Sequence, residues 1–567
     1  MKKIICTLIA SVLVCTSMVG LVGCPAPNPD IIIDTNRTQL YVGNYNGGVG
    51  DDWLDADDGV IARFEEKYAD YELNGKTGVQ IILDSDKDCQ GKTLKGTIGG
   101  DKNEVYFTQQ VLYYDYVAEG LVRDITSLVN KQNPEDNNKT ILSKFYASDL
   151  ENLKVNNKYY AIPHYEIYDG LTYDAYVFQN EKLYFSDSID TDGTRKFIIN
   201  NNTKKSCGPN GIYGDYDDGL PSSYQEFYKL LDKMKSTVDP IVWAGEQTHY
   251  TNMMLSALYA NYLGADGLSI NLDYDSNGKE IEVIKSFTGN TPNVEKVVIS
   301  EANDNQNLLK NTAGLYYAIE ALAKIFSDKA YYYDDSASGS FSFTTAQETF
   351  LESGLDGSRK IGMMIEGSYW YNEADSYGVI DRMDKYPLFA TQKDPRFMPL
   401  PRQYSGTVTE GNGKAPVLVD SYNAYAFINS KIKDDKVDLA EKFLAFCYTD
   451  AELVAFTKAT NGALRALDYD YSSVVNDLSG YGKSVVEIRL DAKNNNSFVK
   501  CISNDPIFKA NMNALSLDIS STYFQSPKCG DGYVYLWTAV NQGKKSAKEY
   551  FQGMWINKSD WNSIYKQ

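Results

Sequence analysis

The sequence predicts an α/β protein of two or more lobes built on open sheets. Three observations carry this. The chain has 567 residues, more than one ordinary hydrophobic core organises. Short runs rich in β-branched and aromatic residues alternate with stretches of helical periodicity, the pattern of strands joined by crossover helices. Hydrophobic residues make up 43% and charged residues 23% of the chain, the balance of a folded protein rather than a disordered one.

The N-terminus comes first. Lys2 and Lys3 precede a mainly apolar stretch, 4–19, and then Leu21-Val22-Gly23-Cys24. A charged start, an apolar middle and a small-residue cleavage site read as a secretory signal over 1–23. The Leu-x-Gly-Cys ending looks like a bacterial lipobox, in which Cys24 becomes a lipid-carrying N-terminus. The competing reading is an uncleaved membrane anchor, since the stretch nearly spans a bilayer. On either reading the body sits outside the cytoplasm and is tethered to the cell membrane. The polar residues of 24–37 form a spacer.

Strand character then appears at 38–42, 79–83 and 104–108. The first of these runs leads through Gly43-Asn44-Tyr45-Asn46-Gly47-Gly48-Val49-Gly50 into a helical run at 60–68. Val111, Tyr114, Val117, Ala118 and Leu121 recur at helical spacing, with Gly120 near the stop. Ser223 and Glu226 make a capping box, and Tyr224, Phe227, Tyr228, Leu231 and Met234 mark the face of the helix that follows. Leu439, Phe443, Phe446 and Cys447 mark a later amphipathic helix. Stretches rich in Asn, Asp and Gly near 131–140, 186–219, 271–280 and 303–308 read as surface insertions.

Composition and motif spacing exclude several kinds of chemistry. The formal charge is -21, which repels phosphate backbones and disfavours nucleic acid as a partner. Two Gly-Lys-Thr triplets occur, at 75–77 and 91–93. Asp70 and Asp86 stand where a P-loop needs its first glycine. Only His164 and His249 are present, too few for a His-rich zinc site and little for a Ser-His-Asp triad. The five cysteines beyond Cys24 show no CxxC spacing. Close carboxylate pairs carry no information among 76 acidic residues, so no enzyme signature emerges and no cofactor is expected. Asp215, Asp217 and Asp218, in a Gly-rich stretch at 208–219, suit Ca²⁺, although Asp-Gly turns are also plain turns. The stretch 273–284 imitates an EF-hand start and then fails at Ile284. The 45 tyrosines offer ring faces with polar tips, either as core or as a grip for a polar ligand.

Five segments, in order, carry a resemblance. They are Asn103–Thr108 with Tyr114–Thr126; Asn157–Pro163, leading through Glu166 to Asp174; the helix at 222–235; Ile361–Trp370; and Ala424–Phe446 with Thr460–Arg465. Behind a lipobox, they resemble the extracellular carbohydrate-binding lipoproteins of ABC importers, the family that includes maltose-binding protein. The resemblance implies a type II periplasmic-binding-protein-like fold, α/β, with hinged lobes around a central cleft. One lobe takes 38–165 plus about 425–460, the other about 166–424 plus 461–567. It implies a monomer that captures a carbohydrate, does no chemistry on it, and delivers it to the permease subunits. A surface glycoside-active enzyme, or the same fold binding a peptide or other polar solute, stays open as an alternative.

Carried over by position, the candidate ligand residues are Trp370 as a stacking ring with Glu366 beside it, then Glu246, His249 and Trp243 in the second lobe. Glu166 lies at the first crossing, Tyr422 and Asn423 at the second, and Arg465 after the last. Asn44, Trp53 and Phe107 lie near strand ends of the first lobe, where the glycine-rich loop would form a lip of the cleft. For each residue the competing reading is a packing aromatic or a solvated charge.

Overall fold

The computed structural model describes residues 32–85, 89–247, 249–406, 415–517, 521–529, 532 and 534–566. The signal over 1–23, Cys24 and the spacer up to residue 31 lie outside the described residues. Residues 35–567 form one compact unit. Among the described residues, no helix is long and apolar enough to cross a membrane.

Two sheets organise it. The first runs in the order Val79–Asp84, Thr38–Asn44, Val105–Phe107, Tyr425–Ile428, Ile162–Pro163. The first three strands are mutually parallel and the last two pairings are antiparallel. Parallel neighbours need crossovers, and the helix Val60–Lys67 supplies the first of them. Its Phe64 meets Phe443 at 5.0 Å and Phe446 at 5.6 Å, so the expected helical face at 439–447 is the one that covers this sheet. On the other face Tyr113 meets Tyr425 and Tyr116 meets Phe427.

The second sheet has the order Asp239–Val242, Ile361–Gly367, Asp169–Asp174, Pro395–Met398. Every residue of Ile361–Gly367 and of Asp169–Asp174 is buried, as central strands covered on both faces require. The helix His249–Leu263 packs on these two strands and is buried nearly all round, the mark of an interior helix. Behind it lies Ala313–Ser327, against which the C-terminal helices Leu536–Asn541 and Ala547–Met554 pack. Trp243, Phe326 and Trp537 lock these layers with ring centroids 5.0–5.3 Å apart.

Two local expectations shift. Ser223 caps its helix by accepting from the Glu226 N–H at 3.2 Å. The Glu226 carboxylate, however, accepts from the Ser222 and Arg195 amides rather than closing the box on Ser223. The EF-hand mimic at 273–284 runs into a hairpin, Glu280–Thr288 with Thr291–Val298.

The chain passes between the sheets more than once, and the passages lie side by side. The His164 amide donates to the Ala424 carbonyl at 3.0 Å and the Glu166 amide to the Leu464 carbonyl at 2.9 Å. Tyr168 bridges Asp420, and Tyr165 bridges Arg465. At this crossing Glu166 forms a bidentate pair with Arg489 of the helix Gly480–Asn494, at 2.7 and 3.0 Å. Tyr146 donates to the same carboxylate at 2.6 Å and Tyr168 donates to its other oxygen. Glu166 is therefore a structural ion pair, not a ligand contact. Both partners are buried, so removing one strands the other without water. Arg489→Met should lower the unfolding free energy by about 3–5 kcal/mol. Pairing it with Glu166→Gln should restore part of the loss in urea titrations.

Candidate functional site

Strands of both sheets end toward the crossing, and the residues just past those ends enclose a cavity of about 230 Å³. Tyr45 follows Thr38–Asn44, Gln109 and Gln110 follow Val105–Phe107, and Tyr369 follows Ile361–Gly367. Gln90 joins them from the first lobe. The second lobe adds Gln247, His249 and Tyr250 around the start of the helix His249–Leu263, then Phe343, Glu373 and Tyr377. Tyr422, on a crossing segment, closes the ring of side chains. Five of these residues are tyrosines and four are glutamines, with no lysine or arginine among them.

The polar groups are held by one another. Gln90 donates to the Tyr45 hydroxyl at 2.9 Å. Tyr165 donates to Gln109 Oε1 at 2.5 Å, which fixes that amide's orientation. The Tyr369 and Tyr422 hydroxyls lie 3.2 Å apart. Burial pushes the phenols of Tyr250, Tyr369 and Tyr422 well above the usual range, so each keeps its proton and can donate. Burial lowers the His249 imidazole to about 4, leaving it neutral.

One acid faces the cavity. Gln347 donates to Glu373 at 2.8 Å and to Glu366 at 3.2 Å, which brings the two carboxyls together. Burial, and next the charge of Glu373, push Glu366 well up; burial pushes Glu373 up to about 7. The Gly48 N–H of the first lobe faces the Glu373 carboxylate. The neighbouring Gly50 lies against Ser376, whose Oγ would have to turn aside for a Cβ there, at 2.3 Å. Gly48 and Gly50 both have φ near +70°, where only glycine is unstrained. Asn44 braces this loop from inside, donating to the Gly50 carbonyl at 3.3 Å. The glycine-rich loop thus rests against the helix Trp370–Ser376 of the other lobe.

Of the residues expected from sequence, the cavity brings together His249 and Tyr422, with Glu366 immediately behind Glu373. The others lie elsewhere. Trp370 is 0% exposed; its indole donates to Thr172 at 2.9 Å and packs on Phe350 and Tyr481. It is a core residue, because the helix it opens turns its ring back under the sheet. Trp243 is likewise in the core. Glu246 is exposed and accepts from the Trp537 indole at 3.1 Å. Trp53 and Phe107 pack on each other and on His164. The Arg465 guanidinium lies between the Trp53 and Phe456 rings, with His164 against it. Asn423 sits at φ +48° and shapes the crossing backbone. Its carbonyl accepts from Val111 at 3.2 Å.

The signal for the missed residues is the end of each strand. Tyr45, Gln109, Gln110 and Tyr369 stand one to three positions past the last strand residue, where α/β sheets present ligands.

No protein-family model and no curated protein matches the chain. Solved structures do. A chitin oligosaccharide binding protein is similar over 91% of this chain and 100% of its own, with 14% identity and a TM-score of 0.51. A cyclic alpha-maltosyl-1,6-maltose binding protein from Arthrobacter globiformis is similar over 94% of this chain and 99% of its own, with 12% identity and a TM-score of 0.50. These likenesses show the fold, α/β and two-lobed, as the resemblance in sequence led us to expect.

Glu373 makes stability depend on pH. Its native value lies above its ordinary one of 4.5, so between the two the native state holds a proton that the unfolded chain has released. That contribution is fully present below about 4.5 and is lost as pH rises to about 7, at up to about 1.4 kcal/mol per pH unit. Wild type minus Glu373→Gln, followed by urea midpoint against pH, should fall across this window and flatten above it.

Proposed function

We propose that the protein captures a neutral oligosaccharide between its lobes and delivers it to the permease of an ABC importer. The lining of the cavity carries this reading. Among the described side chains, five tyrosines and four glutamines line the space and none is cationic. Sugar C–H faces stack on aromatic rings, and sugar hydroxyls need both donors and acceptors. Tyrosine and glutamine supply all of these without the cost of burying charge. A peptide would bring a carboxylate terminus, for which this lining offers no cation. A glycosidase needs two carboxyls flanking the scissile bond, whereas here Glu373 alone lines the cavity and Glu366 stands behind it. The two similar folds named for chitin oligosaccharide and for a cyclic maltosaccharide support a carbohydrate.

In this reading the lobes open to admit the ligand and close to expel water, with the glycine loop meeting Trp370–Ser376 in the closed form. In the same reading the lipobox-like ending at 21–24 supports a lipid anchor on the outer face of the cell membrane, from which a monomer would hand its ligand to the permease subunits.

Calorimetry of the protein against chito- and malto-oligosaccharides should give saturable heats with ligands recovered unchanged. Tyr369→Ala should weaken binding by about 2 kcal/mol, roughly 30-fold, and Gln109→Ala somewhat less. Flat titrations with every neutral glycan would overturn the reading. Separately, Cys24→Ala should release the protein from the membrane fraction into the medium.

A further inference from the structure

The turn at 208–218, remote in sequence from every residue of the sugar cleft, is built as a cation site. We propose that Asp215, Asp217 and Asp218 bind one Ca²⁺. One carboxylate oxygen from each lies within 4.8 Å of the other two. Two oxygens on opposite sides of a Ca²⁺, each at about 2.4 Å, stand about 4.8 Å apart, a separation this group does not exceed.

A second observation points to a ligand. Asp217 is 0% exposed, and its Oδ1 has no hydrogen-bond partner. Asp218 Oδ1 is likewise enclosed and unpartnered. The opposite oxygens are spent on building the turn. Asp217 Oδ2 accepts from the Asn210 amide at 2.8 Å and Asp218 Oδ2 from the Gly214 amide at 2.8 Å. Asp215 accepts from the Asn210 side chain at 2.7 Å and from the Asp217 amide at 3.3 Å. Each of the two enclosed aspartates therefore holds one oxygen in the frame and leaves one for an ion. The backbone is drawn in on the Asp217 carboxylate, since a Cβ on Gly208 would lie 2.3 Å from Oδ1.

The charge balance agrees. Among the described residues no lysine or arginine is ion-paired with these three. Lys204 is paired with Asp187 at 3.2 Å, and Lys205 lies over the Tyr184 ring. Asp491 adds further negative charge through Tyr216, whose hydroxyl donates to it at 2.5 Å. Burying a carboxylate without a counter-charge costs several kcal/mol unless it is neutralised. A bound divalent cation supplies the counter-charge that this frame lacks. The second acidic group, Asp51, Asp52 and Asp55, is largely exposed and serves as an internal control.

The test is a CaCl₂ titration of the chelator-treated full chain at neutral pH, by calorimetry. One site should appear, with a melting temperature that rises with Ca²⁺. Mg²⁺ should bind at least about tenfold more weakly, since it demands a tighter octahedron. Asp217→Asn keeps the size of the side chain, so it should fold as the wild type does while losing at least about a hundredfold in Ca²⁺ affinity. Asp52→Asn should bind as wild type. No saturable heat and no melting shift at about 5 mM CaCl₂, weaker than even extracellular Ca²⁺ modules, would overturn the proposal. So would binding that survives Asp217→Asn and Asp215→Asn.

Discussion

Everything that makes a cleft in this molecule depends on Glu166 and Arg489. A buried carboxylate keeps its charge only where donors replace the water it has lost. Glu166 receives Arg489 on both oxygens and the hydroxyls of Tyr146 and Tyr168. Those donors come from three places: the first lobe ahead of Ala147–Asn152, the crossing segment itself, and a helix packed on the second sheet. A charge so enclosed tolerates little displacement. The crossing backbone is thereby held in register with the segments at 420–424 and 464–465. The strand ends of both sheets are aimed at one another across that fixed point.

Above the crossing the two lobes meet through surfaces of opposite kind. The first presents a loop with almost no side chains, Gly47 to Gly50, and the second presents the helix Trp370–Ser376. The glycines serve close approach. Two carboxylates, Asp51 and Asp52, follow immediately, so the loop is a poor phosphate cradle, and the group its Gly48 N–H faces is Glu373. That contact makes one acid common to the lobe interface and to the cavity. The protonation of Glu373, its burial and the apposition of the lobes are consequently a single equilibrium.

The architecture was legible in the sequence because strand and helix identity depend on local pattern. Val105–Phe107 and the capped helix at 224 appear where periodicity and capping place them, and Ile361–Gly367 where the resemblance does. The site was less legible because a side chain's direction at a strand end depends on the last residue or two of register. Asn44 and Tyr45 are adjacent, as are Tyr369 and Trp370; in each pair one faces the cavity and the other faces inward. Aromatic size pointed to Trp370, Trp243 and Trp53, yet large rings are also what a core of this size consumes. Glu166 and Arg465 carry charge, which reads as exposure or function in a sequence. Their partners, Arg489 and the Trp53–Phe456 pair, are far away along the chain and no local pattern announces them.

Three of the places where the chain encloses acidic groups are resolved differently, and the neighbours decide how. Where a guanidinium is within reach, at Glu166, the charge is kept and paired. Where two acids share an amide and meet a backbone N–H, at Glu366 and Glu373, a proton is kept instead, because Gln347 brings no charge to offset either carboxyl. At Asp217, among the described residues, no guanidinium or ammonium is paired with the carboxylate. Its frame is made of backbone amides and an asparagine, donors that orient a carboxylate without neutralising it, and two further aspartates stand beside it. A frame that spends donors on orienting carboxylates without an ion-paired cation is unfavourable in itself. It becomes favourable when a cation arrives from solution, which is the physical basis for reading that turn as a binding site.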